Sequence, residues 1–94
     1  MPVRILFHED ILQTGEHKLV STDVLKKGIR RIKENPECGK PLRPPLQTCR
    51  SIRLGGSENR MVYHQIDDDL VEVLAIERRR DSEAYVIAAD RFAG

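Results

Sequence analysis

Three arginines, Arg53, Arg60 and Arg79, fall on or just past three consecutive strand-like stretches in the second half of the chain. The planar guanidinium donates two parallel hydrogen bonds to phosphate oxygens, which suits it to holding a phosphate. Neighbouring strands lie about 4.8 Å apart, so three arginines near one end of a sheet can converge on one phosphate. Tyr85 lies early in the last helical stretch, where it could stack on a base or give a proton through its hydroxyl. Each has a plainer alternative. Arg53 and Arg60 could pair with Glu58 or Asp67, Arg78 and Arg80 suit solvent, and Tyr85 is spaced with Ala88 and Phe92 for core packing.

The elements that must position these residues follow from periodicity and breakers. Residues 3–7 (VRILF) form an apolar run of strand length. Residues 10–20 carry a weak helical pattern interrupted by Gly15. A clearer helix follows: Ser21, Thr22 and Asp23 are all good caps, and Val24, Leu25, Gly28, Ile29 and Ile32 share one stripe. Lys26, Lys27, Arg30, Arg31 and Lys33 occupy the opposite face. Asn35-Pro36 ends the helix, because a residue before proline is pushed out of the α region. Residues 36–46 hold four of the five prolines and read as a loop stiffened by fixed φ angles.

Residues 48–54, 59–66 and 70–76 then read as three strands joined by Gly55-Gly56-Ser57-Glu58 and by Asp67-Asp68-Asp69. Tight turns between them imply an antiparallel meander, and the most apolar stretch, 70–76, is expected at the centre of the sheet. Asp81 or Ser82 can cap a last helix with Tyr85, Ala88, Ala89 and Phe92 on its apolar side. The expected fold class is α/β (α+β): one domain, 1–94, in β-α-α-β-β-β-α order. Two helices pack on one face of a mainly antiparallel twisted sheet.

Net charge is only +1, yet residues 24–60 carry ten Lys and Arg against three acids, a local balance of +7. A polyanion responds to that local surplus, since charges farther away than about 8–10 Å are screened. A solvated helix face beside a basic hairpin would give the same numbers. Cys38 and Cys49 have no His or Cys near enough to complete a zinc set, and read as two reduced thiols. No apolar run is long enough to span a bilayer, and the amino terminus lacks a basic-then-apolar pattern. The expected location is the cytoplasm.

Several short pieces then line up in order: Asn35-Pro36, Gly39-Lys40-Pro41-Leu42, residues 49–54 (CRSIRL), residues 60–63 (RMVY), the acidic turn, residues 71–76 (VEVLAI), Arg78-Arg79 and Tyr85. No piece is specific alone, but the succession over residues 24–92 resembles the RelE/ParE toxin family. The resemblance implies a type II toxin–antitoxin toxin with two helices packed against a mainly antiparallel sheet. For RelE-like members it implies a ribosome-dependent mRNA endoribonuclease, an mRNA interferase that inhibits translation. ParE-like members share the fold and inhibit DNA gyrase, and a third group binds an antitoxin without strong toxicity.

Nuclease chemistry of this kind sends a ribose 2′-oxygen onto the neighbouring phosphorus. It needs positive charge at the developing phosphorane, a group that takes the 2′ proton and one that protonates the leaving 5′-oxygen. With arginines supplying the charge, neither metal nor cofactor is required. By resemblance, Arg53, Arg60, Arg79 and Tyr85 match catalytic or substrate-holding positions of RelE-like toxins. At a fifth position, where RelE-like toxins keep a lysine, this chain has Ser51, which puts the identity of the base in doubt. Arg50 points to the other strand face, while alternation puts His64 on the face of Arg60 and Tyr63 on the opposite one, in the core. Ser51, His64 and Arg78 are therefore auxiliary candidates. The resemblance further implies a cognate antitoxin, the ribosome and mRNA as partners, no membrane, and DNA met only through the antitoxin.

Overall fold

The computed structural model describes residues 3–15, 20–44, 46, 48–55, 59–78 and 83–93, with side chains omitted at 77, 78, 83–86 and 93. The elements run β1 (Arg4–Phe7), α1 (Glu9–Thr14), α2 (Thr22–Glu34), β2 (Lys40–Pro41), β3 (Cys49–Arg53), β4 (Asn59–Asp67), β5 (Leu70–Arg78) and α3 (Glu83–Ala93). They build a five-stranded sheet ordered β1-β5-β4-β3-β2. The β3-β4-β5 meander is antiparallel as expected, and β1 adds to β5 in parallel, with Arg4 opposite Leu70.

Local chemistry sets the helix ends. The Ser21 side chain accepts from the Val24 N–H at 3.3 Å and caps α2. Gly15 ends α1 with φ 78°, a left-handed conformation that costs glycine little. The Asp81 or Ser82 cap of α3 lies outside the described residues. Two details differ from the sequence reading. The proline-rich stretch contributes a two-residue strand, which Pro41 can join because it lies on the sheet edge. β5 is an interior strand between β1 and β4, but the middle of the five is β4, because the proline-rich stretch adds β2 outside β3.

The sheet is covered on both sides. Ile11 of α1 and Ile32 of α2 pack with Ile52, Met61, Tyr63, Val71 and Val73 on one face. Ala88 of α3 packs with Cys49, Val62, Leu74 and Ala75 on the other. Gly28 permits the close approach of α2: a Cβ there would come within 2.6 Å of Leu54 Cδ2. Leu74 is the extra residue of a β-bulge, since Val62 pairs with Ala75 and Tyr63 with Val73. The Leu74 carbonyl accepts from Arg91 Nη1 of α3 at 2.7 Å, and Arg91 Nε lies 3.8 Å from Asp10 of α1.

Tyr63 fixes the loop after α2. It is 1% exposed, its hydroxyl donates to the Pro36 carbonyl at 2.7 Å and accepts from the Gly39 N–H at 3.0 Å. Arg50 Nη1 donates to the carbonyls of Gly39 and Glu37 at 2.9 and 3.2 Å. A Cβ on Gly39 would sit 2.6 Å from the Tyr63 hydroxyl and 3.0 Å from the Ser51 carbonyl. We expect Gly39→Ala to lower the unfolding free energy by about 1–3 kcal/mol, the usual cost of overpacking, as a lower midpoint in urea. Burial pushes the Tyr63 phenol from the usual 10 up to about 12, against the Gly39 N–H that favours the phenolate. A folded-state value raised above the unfolded one contributes stability that is full below pH 10 and lost as pH rises toward 12. In a phenolate absorbance titration, Tyr63 should ionise near 12 in the folded protein, and Tyr63→Phe should lack that step.

Candidate active site

Side-chain alternation sorts the residues of β3 and β4. Ile52, Met61 and Tyr63 belong to the α1–α2 core, whereas Cys49 and Val62 belong to the α3 side. Ser51, Arg53, Arg60 and His64 share parity with this second set. The register makes the pairs explicit: Cys49 faces His64, Ser51 faces Val62, and Arg53 faces Arg60.

The last pair is the centre of the candidate site. Two arginines stand directly opposite each other on adjacent strands, and the Leu54 N–H to Asn59 carbonyl bond at 3.0 Å closes the ladder just beyond. Arg53 is exposed and Arg60 half-buried. Like charges directly opposite disfavour a sheet, so this pairing favours an anion between or above the two forks. On the other side of β4, Arg60 is in register with Glu77. From the α2 side, Arg31 Nη1 lies 3.4 Å from the Arg53 carbonyl and brings a third guanidinium to the same strand end.

The remaining candidates are distributed unevenly. Arg78 ends β5 in register with Asn59, the neighbour of Arg60. Arg79 lies outside the described residues. Tyr85 is the third residue of α3, and its side chain is not among those described. Ser51 is 2% exposed, and its Oγ has no hydrogen-bond partner among the described residues. It is two residues from Arg53, about 6.6 Å along the strand. His64 is four residues from Arg60, about 13 Å along β4, so the strand separates it from the arginine pair. There it pairs with Glu72, Nε2 to Oε1 at 3.0 Å, and meets the Phe92 ring edge-on at 5.0 Å.

Arg50 and Arg91 act structurally, Arg50 clamping the loop and Arg91 bridging α3, the bulge and α1. Alternation foretold the face of Arg50, but no local pattern marks Arg91. Burial raises the Cys49 thiol above its ordinary value, against a Thr48 hydrogen bond, which keeps it a poor nucleophile. Among the described residues, no cluster of His, Cys, Asp and Glu could hold a metal ion. No helix among them is long and apolar enough to cross a membrane.

The molecule is thus a small α+β domain with two arginines paired across one strand end. Residues 10–83 match the family described as the ParE toxin of the type II toxin–antitoxin system, parDE. The chain belongs to the RelE/ParE toxin family. A RelE-like toxin protein of Escherichia coli is 29% identical to it, over 97% of this chain and 98% of that one. Among solved structures, a mutant of E. coli toxin RelE in the free state superposes with a TM-score of 0.75 at 28% identity, covering 97% of this chain and 98% of that one. The same mutant in complex with an antitoxin RelBc peptide gives 0.69 at 30% identity, covering 94% and 95%.

Opposed arginines at this strand end are expected to draw an anion to the free protein. Sulfate should raise Tm more than chloride at matched ionic strength. Arg53→Ala should weaken sulfate binding about tenfold or more, the loss of one charge-assisted bond of about 1.5–3 kcal/mol. Equal shifts in both proteins would remove the anion site.

Proposed function

We propose that this chain, as one domain spanning 1–94, is a ribosome-dependent, metal-independent mRNA endoribonuclease. The observation that carries the reading is the Arg53–Arg60 pair, two guanidinium forks set across neighbouring strands. In this reading Arg53, Arg60 and Arg79 hold the scissile phosphate and neutralise the charge that grows on it as the 2′-oxygen attacks. Tyr85 stacks on a base or protonates the leaving 5′-oxygen. Ser51, His64 and Arg78 are auxiliary. A buried serine hydroxyl is a weak base, and His64 is engaged with Glu72 along the strand. In this reading the 2′ proton passes to water, and the arginines, which stay protonated, stabilise the oxyanion and the phosphorane that follow.

A cognate antitoxin is the expected partner, as in the RelE complex with its RelBc peptide. Leu6, Ile66 and Phe92, at 50, 48 and 38% exposure, offer apolar surface to such a segment. The ribosome and mRNA are the remaining partners, in the cytoplasm, and DNA is met only through the antitoxin.

A second reading has its own support. The matching family is ParE, and Ser51 stands where RelE-like toxins keep a lysine, both of which suit a gyrase inhibitor. Primer extension on translated mRNA, with and without ribosomes, separates the two. Ribosome-dependent cuts inside codons are the expected result. Intact message with growth arrest and altered supercoiling would replace the nuclease with the gyrase inhibitor, and intact message with normal growth would leave an antitoxin-binding relic. Arg60→Ala with Arg79→Ala should abolish toxicity while antitoxin binding persists, each single change costing about 10²–10³ in rate.

A further inference from the structure

Strand β3 begins at Cys49 opposite His64, while β4 continues to Asp67. Beside this step in the sheet lies a cavity of about 200 Å³, at the far end of β4 from the arginine pair. Buried Cys49 and Tyr63 line it together with Pro36 and Pro41, and Arg50 and His64 bring polar edges to it. Its walls are fixed without a ligand. The Tyr63 hydroxyl holds the Pro36 carbonyl at 2.7 Å, and Pro41 is in register with Arg50 across β2 and β3.

Arg50 is half-buried, yet its charge has no acid within 4.0 Å among the described residues. Its hydrogen bonds run through Nη1 alone, to the carbonyls of Glu37 and Gly39. Nε and Nη2 have no partner among the described residues. Those two N–H groups make the side-on fork that a carboxylate accepts with both oxygens. The loop clamp uses one nitrogen, and the fork has no task in it. His64 is paired with Glu72, which leaves Arg50 to hold an anion in the cavity. Size and charge narrow the ligand. Pockets for drug-sized molecules hold about 300–1,000 Å³, so this one suits something smaller. A phosphate monoester carries about −1.5 to −2 at pH 7, too much for one guanidinium with exposed Glu37 also lining the cavity. The two proline rings give the rest of the ligand an apolar bed. We propose that this cavity binds a small monocarboxylic acid, its carboxylate on the Nε–Nη2 fork of Arg50 and its apolar part against Pro36 and Pro41. The site is separate from the arginine pair and does not rest on the nuclease reading.

The test follows the Arg50 Nε–H resonance and the backbone amides of Thr48 and Gln65 while benzoate or inorganic phosphate is titrated into the isotope-labelled full chain. Benzoate should shift them saturably, with a Kd on the order of 1 mM for so small a ligand, and phosphate should not. Arg50→Lys keeps the charge but loses the fork, and should weaken benzoate about tenfold or more at the two amides. Arg53→Ala, at the other end of the sheet, should leave benzoate binding unchanged. Should Arg50→Lys loosen the loop, seen as a lower Tm, Thr48→Phe is read instead. It fills the cavity from an exposed position, leaves both Arg50 bonds in place and should abolish the shifts. An Arg50 resonance that benzoate leaves unmoved would overturn the proposal. An equal response to phosphate would overturn the carboxylate assignment, and binding that Arg53→Ala removes while Arg50→Lys keeps it would return the anion to the arginine pair.

Discussion

The structure depends on β4 being covered from both sides. A central strand with helices on each face must present apolar residues at nearly every position, and Met61, Val62 and Tyr63 are all buried. Only its ends can carry polar chemistry, which sends Arg60 to one end and His64, Gln65 and Asp67 toward the other. The pairing with β3 then brings Arg53 opposite Arg60. Sliding that register by one residue would exchange core and site at once, so the apolar pattern that builds the fold also fixes the arginine pair.

The two covers differ in character. On the α2 side, Ile32, Met61 and Tyr63 make a broad apolar core, with the Tyr63 hydroxyl holding the following loop by two hydrogen bonds. On the α3 side, Ala88 with Ile87 and Ala89 packs on Cys49, Val62 and Leu74, and the bond from Arg91 to the bulge carbonyl at Leu74 adds a polar fastening.

Much of this was legible in the residues. The α2 stripe and its Ser21 cap, the meander, and the facing of Arg50, Tyr63 and His64 follow from periods of 3.6 and 2. What escaped depended on long-range pairing. Nothing local in residues 4–7 says that they join β5 in parallel, and nothing in Lys40-Pro41 marks an edge strand within a proline-rich loop. The bulge at Leu74 and its Arg91 partner are seventeen residues apart, with no spacing rule to connect them. Arg53 and Arg60 could be read as neighbours because a short turn joins their strands, whereas the pairing of His64 with Glu72 needed the β4–β5 register.

The parallel pairing of β1 with β5 joins residues sixty-six positions apart, Arg4 with Leu70. Such a contact closes a long loop and forms late, after the local β3-β4-β5 meander has paired. During synthesis the first strand must therefore wait, unpaired, until most of the chain has been made. A toxin built in this order completes its sheet only when almost all of its sequence is present, so a truncated product ending before β5 has no partner for β1 and cannot assemble the fold.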